Sequence, residues 1–313
     1  MNTPAIFIMD DLSAIKPVKD TTFALMLEAQ RRGMPVWYAN EHDLSLSNGH
    51  CRANLRKVRL HDRDTNHFEI EQNEVRALGR GDLVLMRCDP PVDDGYIYAT
   101  MLLDQARRDG ARVINRPSAL LEFNEKLAIF RFPQLIPETT VASRAQDLRE
   151  FVRAHGKAVL KPLDGMGGRG IFLAHADDSN LNVIIETLTR HGTRPAMAQQ
   201  FLPSISDGDK RILMIHGKPV DYVLARIPGE SDFRGNLAQG GRGEGREISE
   251  AERHIAETVG PLLVEHGIEF AGLDVIGDRL TEINVTSPTC VRELDAQFGI
   301  NIAGMLFDAL ETE

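Results

Sequence analysis

The sequence predicts an α/β fold with more than one domain, or α+β when the whole chain is considered. Roughly the first 120 residues alternate short apolar runs with amphipathic stretches, which is the pattern of a doubly wound sheet. Later apolar runs are separated by Gly-containing turns, which indicates antiparallel hairpins. The length of 313 residues exceeds the usual size of a single hydrophobic core.

Composition and charge argue against several classes of protein. The 36 Lys and Arg against 46 Asp and Glu give a net charge of −10, which argues against broad binding to nucleic acid or to anionic membranes. Three cysteines at unrelated spacings predict free thiols in a reducing cytoplasm. No apolar run reaches the roughly 18 residues of a membrane span, so no membrane association is expected.

The amino-terminal unit is predicted to alternate strands and helices. The order is strand 5–9, helix 20–32, strand 35–39, strand 82–87, helix 97–108, strand 112–115 and helix 118–130. Residues 41–80 are polar and give only a weak hairpin signal at Asn48-Gly49. Arg87 stands where its strand ends, and ligands bind at the carboxyl ends of strands in open α/β sheets. Arg87 is therefore a candidate contact for an anionic substrate, and a surface or interface arginine is the alternative.

A glycine-rich loop between two predicted strands is a candidate phosphate site. It follows Lys161, and its glycines are Gly165, Gly167, Gly168 and Gly170. The backbone N–H groups of such a loop can approach a phosphate closely. The same phosphate would pair with the ammonium group of a lysine that lies within an apolar strand. The alternative is a flexible turn. Lys126, on the predicted helix 118–130, is ambiguous by itself, because a solvated helix lysine is the commoner state.

Later segments suit a nucleotide and its phosphates. The predicted strand 196–202 offers an apolar edge for an adenine ring, although many core strands look the same. Arg211 and Arg226 stand at the ends of a predicted hairpin, and arginine forks suit carboxylate and phosphoryl oxygens. Solvated surface arginines are the alternative. The long glycine-rich loop 228–243 is predicted to be a lid.

A predicted hairpin near the carboxyl end places acidic side chains in apolar sequence. Asp274 precedes its turn, and Glu282 and Asn284 follow on one face of the next strand. A two-residue loop would place the carboxylates on opposite faces, so a shared site requires a three-residue loop, 277–279, that pairs Asp274 with Glu282. Two carboxylates and an amide oxygen on one face suit Mg²⁺. The alternative is a carboxylate pair neutralised by arginines at a domain interface.

The chain carries a series of motifs that together point to one family. They are Asn-Glu-Lys at 124–126, Leu-Lys-Pro-Leu-Asp-Gly-Met-Gly-Gly at 160–168, Asp-Gly-Asp-Lys-Arg at 207–211, Arg-Gly-Asn-Leu-Ala at 234–238, Gly-Gly-Arg-Gly at 240–243 and Leu-Thr-Glu-Ile-Asn-Val-Thr-Ser-Pro-Thr at 280–289. This set resembles bacterial glutathione synthetases, a family of ATP-grasp ligases. The resemblance spans nearly the whole chain, but no motif matches within 43–80.

The resemblance implies an ATP-grasp fold and a reaction that converts ATP, γ-glutamylcysteine and glycine into glutathione, ADP and phosphate. The dipeptide carboxylate would attack the γ-phosphate, and the glycine amine would then displace phosphate from the acyl phosphate. Such chemistry depends on positioning and on neutralising charge. Two alternatives stay open: another ATP-grasp ligase with a different carboxylate and amine, and a non-catalytic ATP-binding scaffold.

The resemblance also assigns roles to the candidate residues. It implies that Asp274, Glu282 and Asn284 bind two Mg²⁺ ions, which Mn²⁺ can replace. The ATP phosphates would contact Lys126, Lys161, Gly165, Gly167 and Gly168, and the nucleoside would contact Gln200, Phe201, Leu202 and Asp209. The transferred phosphoryl group would be braced by Arg211 and Arg226, and the dipeptide would be held by Arg87, Ser287 and Arg292. Domains are expected at 1–122, 123–202 and 203–313, in a homotetramer.

Overall fold

The computed structural model describes residues 3–229, 234–235 and 240–312. Within these ranges the chain forms three sheets with helices packed against them. Each sheet falls within one of the segments 1–122, 123–202 and 203–313, and we keep these segments as proposed domains. Among the described residues, no helix is both long enough and apolar enough to cross a bilayer.

The first sheet has a parallel centre and an antiparallel edge. Its segment contains β1 (Ala5–Ile8), α1 (Thr21–Arg31), β2 (Val36–Ala39), β3 (Leu44–Ser47), β4 (His50–Leu60), β5 (Phe68–Ala77), β6 (Leu83–Met86), α2 (Asp94–Arg108), β7 (Arg112–Ile114) and α3 (Pro117–Glu122). Strands β2, β1, β6 and β7 run parallel in that order, and β4 joins β2, β3 and β5 antiparallel. Ile6 packs into the same core as α2, and Phe7 into the same core as α1, so helices cover both faces.

The unassigned residues 41–80 form two consecutive hairpins. Asn48 and Gly49 connect β3 to β4 with positive φ angles of 52° and 82°, as a two-residue primed turn requires. The hairpin signal at these residues is confirmed. β4 continues into a second hairpin with β5, whose residues are mostly exposed.

The predicted helix 118–130 is wrong in its extent. α3 ends at Glu122, and a 3₁₀ turn follows at Ala128–Arg131. Between them the side-chain oxygen of Asn124 accepts hydrogen bonds from the backbone N–H groups of Lys126 and its successor, both at 3.1 Å. This local pattern competes with the helix, so Lys126 lies in a turn.

The second and third sheets are antiparallel. The second has the strand order β10-β9-β11-β8 and contains β8 (Thr139–Ala142), α4 (Ala145–His155), β9 (Lys157–Pro162), β10 (Phe172–His175), α5 (Leu181–Thr189) and β11 (Ala196–Gln200). The third has the order β14-β13-β12-β15-β16 and contains β12 (Asp209–Ile215), β13 (Lys218–Ile227), β14 (Arg242–Glu247), α6 (Glu250–Glu265), β15 (Phe270–Ile276) and β16 (Arg279–Asn284). The chain then forms α7 (Val291–Phe298) and α8 (Ile302–Glu311).

Asn115, buried directly after β7, holds the first sheet against the third. Its amide nitrogen donates to the carbonyls of Phe270 and Val285, both at 2.7 Å. Its side-chain oxygen accepts from the backbone N–H groups of Glu269 and Phe270 at 2.8 and 3.0 Å. These bonds satisfy four backbone groups around the hairpin β15-β16, and they fix that hairpin beside the carboxyl ends of the parallel strands.

Candidate active site

A cavity of about 290 Å³ opens where the three sheets meet. All of the predicted site residues line it except Arg87 and Arg292. The lining residues that the sequence predicted are Lys126, Lys161, Gly165, Gly167, Gly168, Gln200, Phe201, Leu202, Asp209, Arg211, Arg226, Asp274, Glu282, Asn284 and Ser287. The tertiary structure therefore brings together motifs that lie far apart in the sequence.

Asp274, Glu282 and Asn284 share the cavity, but their hairpin differs from the prediction. Asp274 pairs directly with Glu282, as predicted. The three-residue loop is wrong, because the loop contains only residues 277 and 278. A bulge at Thr281 supplies the extra residue, and the Thr281 hydroxyl donates to the Asp274 carbonyl at 3.1 Å. The bulge shifts the register by one and turns both carboxylates into the cavity.

Two buried guanidinium groups surround the Asp274 carboxylate. Arg211 binds both oxygens, with Nε–Oδ1 at 2.5 Å and Nη2–Oδ2 at 2.9 Å, and Arg226 Nη2 lies 2.9 Å from Oδ2. Burial opposes ionisation of Asp274, but the two arginines outweigh it and hold its pKa well below the usual range. This is the arginine-neutralised carboxylate that the sequence left open as the alternative to a metal ligand.

Glu282 lies between the two predicted phosphate lysines. Its Oε1 is 3.7 Å from the Nζ atoms of both Lys126 and Lys161, too far for a direct hydrogen bond. Lys126 Nζ donates to the Gly165 carbonyl at 2.8 Å, and Lys161 Nζ donates to Gln199 Oε1 at 2.9 Å. Burial lowers the pKa of Lys126, but the carboxylates around it, Glu282 first, raise it overall. Lys126 therefore stays charged beside the glycine-rich loop.

The loop between β9 and β10 has a conformation that requires glycine. A Cβ at Gly165 would lie 2.7 Å from Pro162 Cγ and 2.9 Å from the Arg169 carbonyl oxygen. Arg234, in the predicted lid, donates from Nη1 to the Gly168 carbonyl at 2.8 Å, so the lid segment contacts this loop. Residues 230–233 and 236–239 of the predicted lid lie outside the described residues.

The predicted nucleoside end of the cavity is formed by residues 200–202 and Asp209. Lys157 Nζ lies 4.1 Å from the centre of the Phe201 ring. Asp209 Oδ2 accepts from Arg226 Nη2 at 2.6 Å, whereas its buried Oδ1 has no hydrogen-bond partner within the described chain. Burial raises the pKa of Asp209 to about 6. A buried acceptor without a donor is unfavourable, and a ribose hydroxyl would supply the missing donor.

Sequence models of the two domains of one family match this chain. The prokaryotic glutathione synthetase N-terminal domain matches residues 4–120, and the prokaryotic glutathione synthetase ATP-grasp domain matches residues 125–299. The chain belongs to the prokaryotic glutathione synthetase family. The predicted family and the predicted ATP-grasp fold are both confirmed.

Individual relatives of this glutathione synthetase family cover almost the full chain. The glutathione synthetase of Xanthomonas campestris pv. campestris is 55% identical over 99% of this chain and 98% of its own length. That of Vibrio parahaemolyticus is 51% identical, with coverages of 97% and 96%. Among solved structures, the ATP-grasp ligase PsnB, complexed with a minimal precursor, Mg and ADP, has a TM-score of 0.63 at 17% identity, with coverages of 100% and 98%. D-cycloserine synthetase DcsG has a TM-score of 0.66 at 13% identity, with both coverages at 98%. These two structures support the fold alone.

Two residues that the glutathione synthetase resemblance assigned to the dipeptide lie outside the cavity lining. Arg87 is buried, and it donates from Nη2 to the Pro288 carbonyl and from Nε to Thr22 Oγ1, both at 3.0 Å. Arg292 Nη2 lies 2.6 Å from Asp62 Oδ1, in the turn between β4 and β5. In this arrangement Arg87 supports the backbone next to Ser287, and Arg292 contacts the first sheet's second hairpin.

Sequence interpretation assigned no role to several residues of the synthetase cavity, among them the polar residues Gln199, Glu125 and Asp89. Gln199 is buried and accepts from Lys161, and its signal was a polar residue inside an apolar strand. Glu125 contacts Lys126, and burial together with Glu282 raises the pKa of Glu125 to about 6. Its signal was its place in the Asn-Glu-Lys motif. Asp89 follows β6 and lines the cavity together with Ser287, and its signal was the Asp-Pro-Pro stop after a buried strand.

The oxygen donors of the cavity suit a divalent ion. Family membership implies that the enzyme uses ATP with a divalent metal. In the part of the chain that the structure describes, no group of three His, Cys, Asp or Glu side chains could hold an ion. Asp274, Glu282 and Asn284 instead offer two carboxylates and one amide oxygen. Mg²⁺ accepts such a set because it keeps several waters and shares phosphate oxygens of the substrate.

Proposed function

We propose that this cavity joins γ-glutamylcysteine to glycine through an acyl phosphate, with cleavage of ATP to ADP and phosphate, and so forms glutathione. Membership of the prokaryotic glutathione synthetase family over nearly the whole chain carries the proposal. Family membership makes the chain an ATP-dependent ligase. The cavity chemistry agrees, because phosphoryl transfer needs fixed cations and carboxylates rather than a covalent nucleophile.

ATP would lie across the second and third sheets. Its adenine would rest on residues 200–202, and its ribose would donate a hydroxyl to the unpartnered Oδ1 of Asp209. The phosphates would lie between the glycine-rich loop and the ammonium groups of Lys126 and Lys161. This assignment is supported by the burial of both lysines, because a buried ammonium group gains most from a phosphate partner.

The dipeptide's cysteinyl carboxylate would attack the γ-phosphorus and release ADP. The glycine amine would then attack the acyl phosphate and release phosphate, which forms the peptide bond. Arg211 and Arg226 would stabilise the charge on the transferred group. Their ion pairs with Asp274 and Asp209 support this role, because they fix the guanidinium planes before substrate binds.

The metal would be held by Asp274, Glu282 and Asn284. We propose two Mg²⁺ ions, replaceable by Mn²⁺, and such ions neutralise charge on phosphate oxygens when bound. The distances around Glu282 support this role. Its Oε1 is 3.7 Å from both lysine Nζ atoms, so no direct hydrogen bond to either lysine would have to break when it binds a metal. Glu282 also keeps the lysines oriented towards the phosphates.

A product assay tests the reaction. The purified chain is incubated with ATP, Mg²⁺, γ-glutamylcysteine and glycine, and ADP and glutathione are quantified. We expect equal amounts of both products. Faster ADP release with D-alanine or glutamate in place of glycine would identify a different ATP-grasp ligase. No ADP release with any acceptor would identify a non-catalytic ATP-binding protein.

We further propose a homotetramer in the cytoplasm. The family resemblance supports the tetramer, and the buried free thiols of Cys51, Cys88 and Cys290 support a reducing compartment. Sedimentation equilibrium of the purified chain should give the mass of four copies. A stable monomer or dimer at micromolar concentration would refute the tetramer.

A further inference from the structure

One cavity carboxylate differs from the others in its surroundings. Carboxylates from five residues line the cavity: Asp89, Glu125, Asp209, Asp274 and Glu282. The last four each lie within 4 Å of a lysine or arginine nitrogen. Within the described residues, Asp89 has no such ion pair. Among these five carboxylates, Asp89 is therefore the one that would pair with a positive charge on a bound ligand.

The position of Asp89 identifies the end of the cavity concerned. It lies just beyond β6, at the carboxyl end of the parallel strands, whereas the predicted phosphate contacts come from the second and third sheets. Ser287 also lines the cavity, its side chain acts to lower the pKa of Asp89, and it is only three residues beyond Asn284, at most about 10 Å along the chain. A small substrate can therefore reach from the phosphoryl site to Asp89.

The electrostatic setting favours a cationic ligand. Asp89 is exposed at the cavity, yet desolvation by the surrounding protein raises its pKa. The Ser287 side chain and the Arg87 guanidinium act to lower that pKa without reversing the shift, and Asp10 acts to raise it. The Asp89 backbone N–H donates to Asp10 Oδ2 at 3.0 Å, so a second carboxylate lies close by. A positive charge in contact with Asp89 would offset both effects.

We propose that Asp89 binds the α-ammonium group of the γ-glutamyl residue and thereby selects the dipeptide. This inference rests on the proposed function. A γ-glutamyl link leaves the α-ammonium group free at the end of the dipeptide that is remote from the reacting cysteinyl carboxylate. Glycine is the less suitable partner, because its amine must lose a proton before it attacks, and an adjacent carboxylate would favour the protonated form.

The test compares γ-glutamylcysteine with N-glutarylcysteine, which lacks only the α-amino group. We measure kcat/KM for each dipeptide with the wild type and with Asp89→Asn. A charge-assisted hydrogen bond of ordinary strength predicts a loss of about 10- to 100-fold for γ-glutamylcysteine in the variant. The value for N-glutarylcysteine should change by less than about threefold, since no ammonium group is present. Asp89→Glu, which keeps the charge, should retain a preference for the amino-bearing dipeptide.

Asp10→Asn is the matched control, because it removes a neighbouring charge that does not line the cavity. An equal loss for both dipeptides in Asp89→Asn would overturn the inference, and so would an equal change of preference in Asp10→Asn. A rise confined to the KM for glycine would assign Asp89 to the other substrate and would also overturn the inference.

ADP affinity, measured by calorimetry, should stay unchanged in Asp89→Asn. If the wild type makes no glutathione, the proposed function itself fails, whereas a normal wild type with unaltered preference in the variant refutes only the role of Asp89.

Discussion

Replacing Arg211 with Met tests how the cavity holds its central carboxylate. The substitution removes both Arg211 hydrogen bonds to Asp274, and Arg226 then contacts only one of its oxygens. Unit charges about 4 Å apart at an effective dielectric constant of about 20 interact by about 4 kcal/mol. Breaking a buried pair from one side typically lowers the free energy of unfolding by about 3 to 5 kcal/mol, and we expect a loss in that range.

Urea unfolding followed by circular dichroism measures this loss. The matched control is Arg144→Met, because Arg144 binds Asp147 through the same two-pronged geometry but lies exposed on the surface. The control should change stability far less, since solvent screens exposed pairs. Arg211→Met should also raise the pKa of Asp274, because its larger stabilising cation is gone.

The double variant Arg211→Met/Asp274→Asn separates lost attraction from an unpaired charge. Arg226 keeps Asp209 as a partner in this variant, so no buried charge is left alone. We expect the double variant to be more stable than Arg211→Met by about 2 kcal/mol or more. If Arg211→Met is no less stable than Arg144→Met, the assignment of a buried, mutually dependent ion pair is wrong. It is also wrong if the stability lost in the double variant equals the sum of the losses in Arg211→Met and in Asp274→Asn.

Three further variants test other parts of the molecule. Glu282→Gln should reduce phosphate release at least about 100-fold and weaken the response to Mg²⁺, and unchanged release would refute the metal assignment. Gly165→Ala should raise the KM for ATP about tenfold or more with little loss of stability, because its Cβ would collide with Pro162 and move the loop. In α1, a hydrogen bond from Arg31, opposed by burial and helped by Arg32, lowers the pKa of Glu28 to about 2. Because this folded-state pKa lies below the unfolded value, the stabilisation is present above about pH 4.5 and is lost as pH falls towards 2. Glu28→Gln should therefore lower unfolding free energy by about 1 to 2 kcal/mol at neutral pH, after solvent screening, and the difference should shrink at about pH 3 in urea titrations.

Elements with strong local signals were predictable. Strands β1 and β2 and helix α1 lie within the predicted bounds 5–9, 35–39 and 20–32, and α2 ends at the predicted residue, 108. The pairing of Asp274 with Glu282 was also predicted, because a shared site requires these two carboxylates, which lie on adjacent strands, to point to the same face. Side-chain periodicity and end signals act over a few residues, so a single sequence carries them.

The errors arose where short-range patterns compete with specific side-chain bonds. Apolar periodicity favours a helix through 118–130, but the Asn124 side chain captures two backbone N–H groups and ends it early. The register of the Asp274 hairpin was right for a wrong reason, since a bulge at Thr281, rather than a longer loop, supplies the extra residue. Loop length and bulge produce the same register, so the spacing alone could not separate them.

The sequence by itself determined the family, most strands and helices, and a set of site residues of which all but Arg87 and Arg292 line the cavity. Only the tertiary structure decided which charges meet: Asp274 between two arginines, Glu282 between two lysines, and Asp89 with no ion pair among the described residues. The reason is that local propensity depends on neighbours in the chain, whereas ion pairing depends on strands brought together by distant contacts. Asn115, which ties the first sheet to the third through four backbone hydrogen bonds, supplies such contacts.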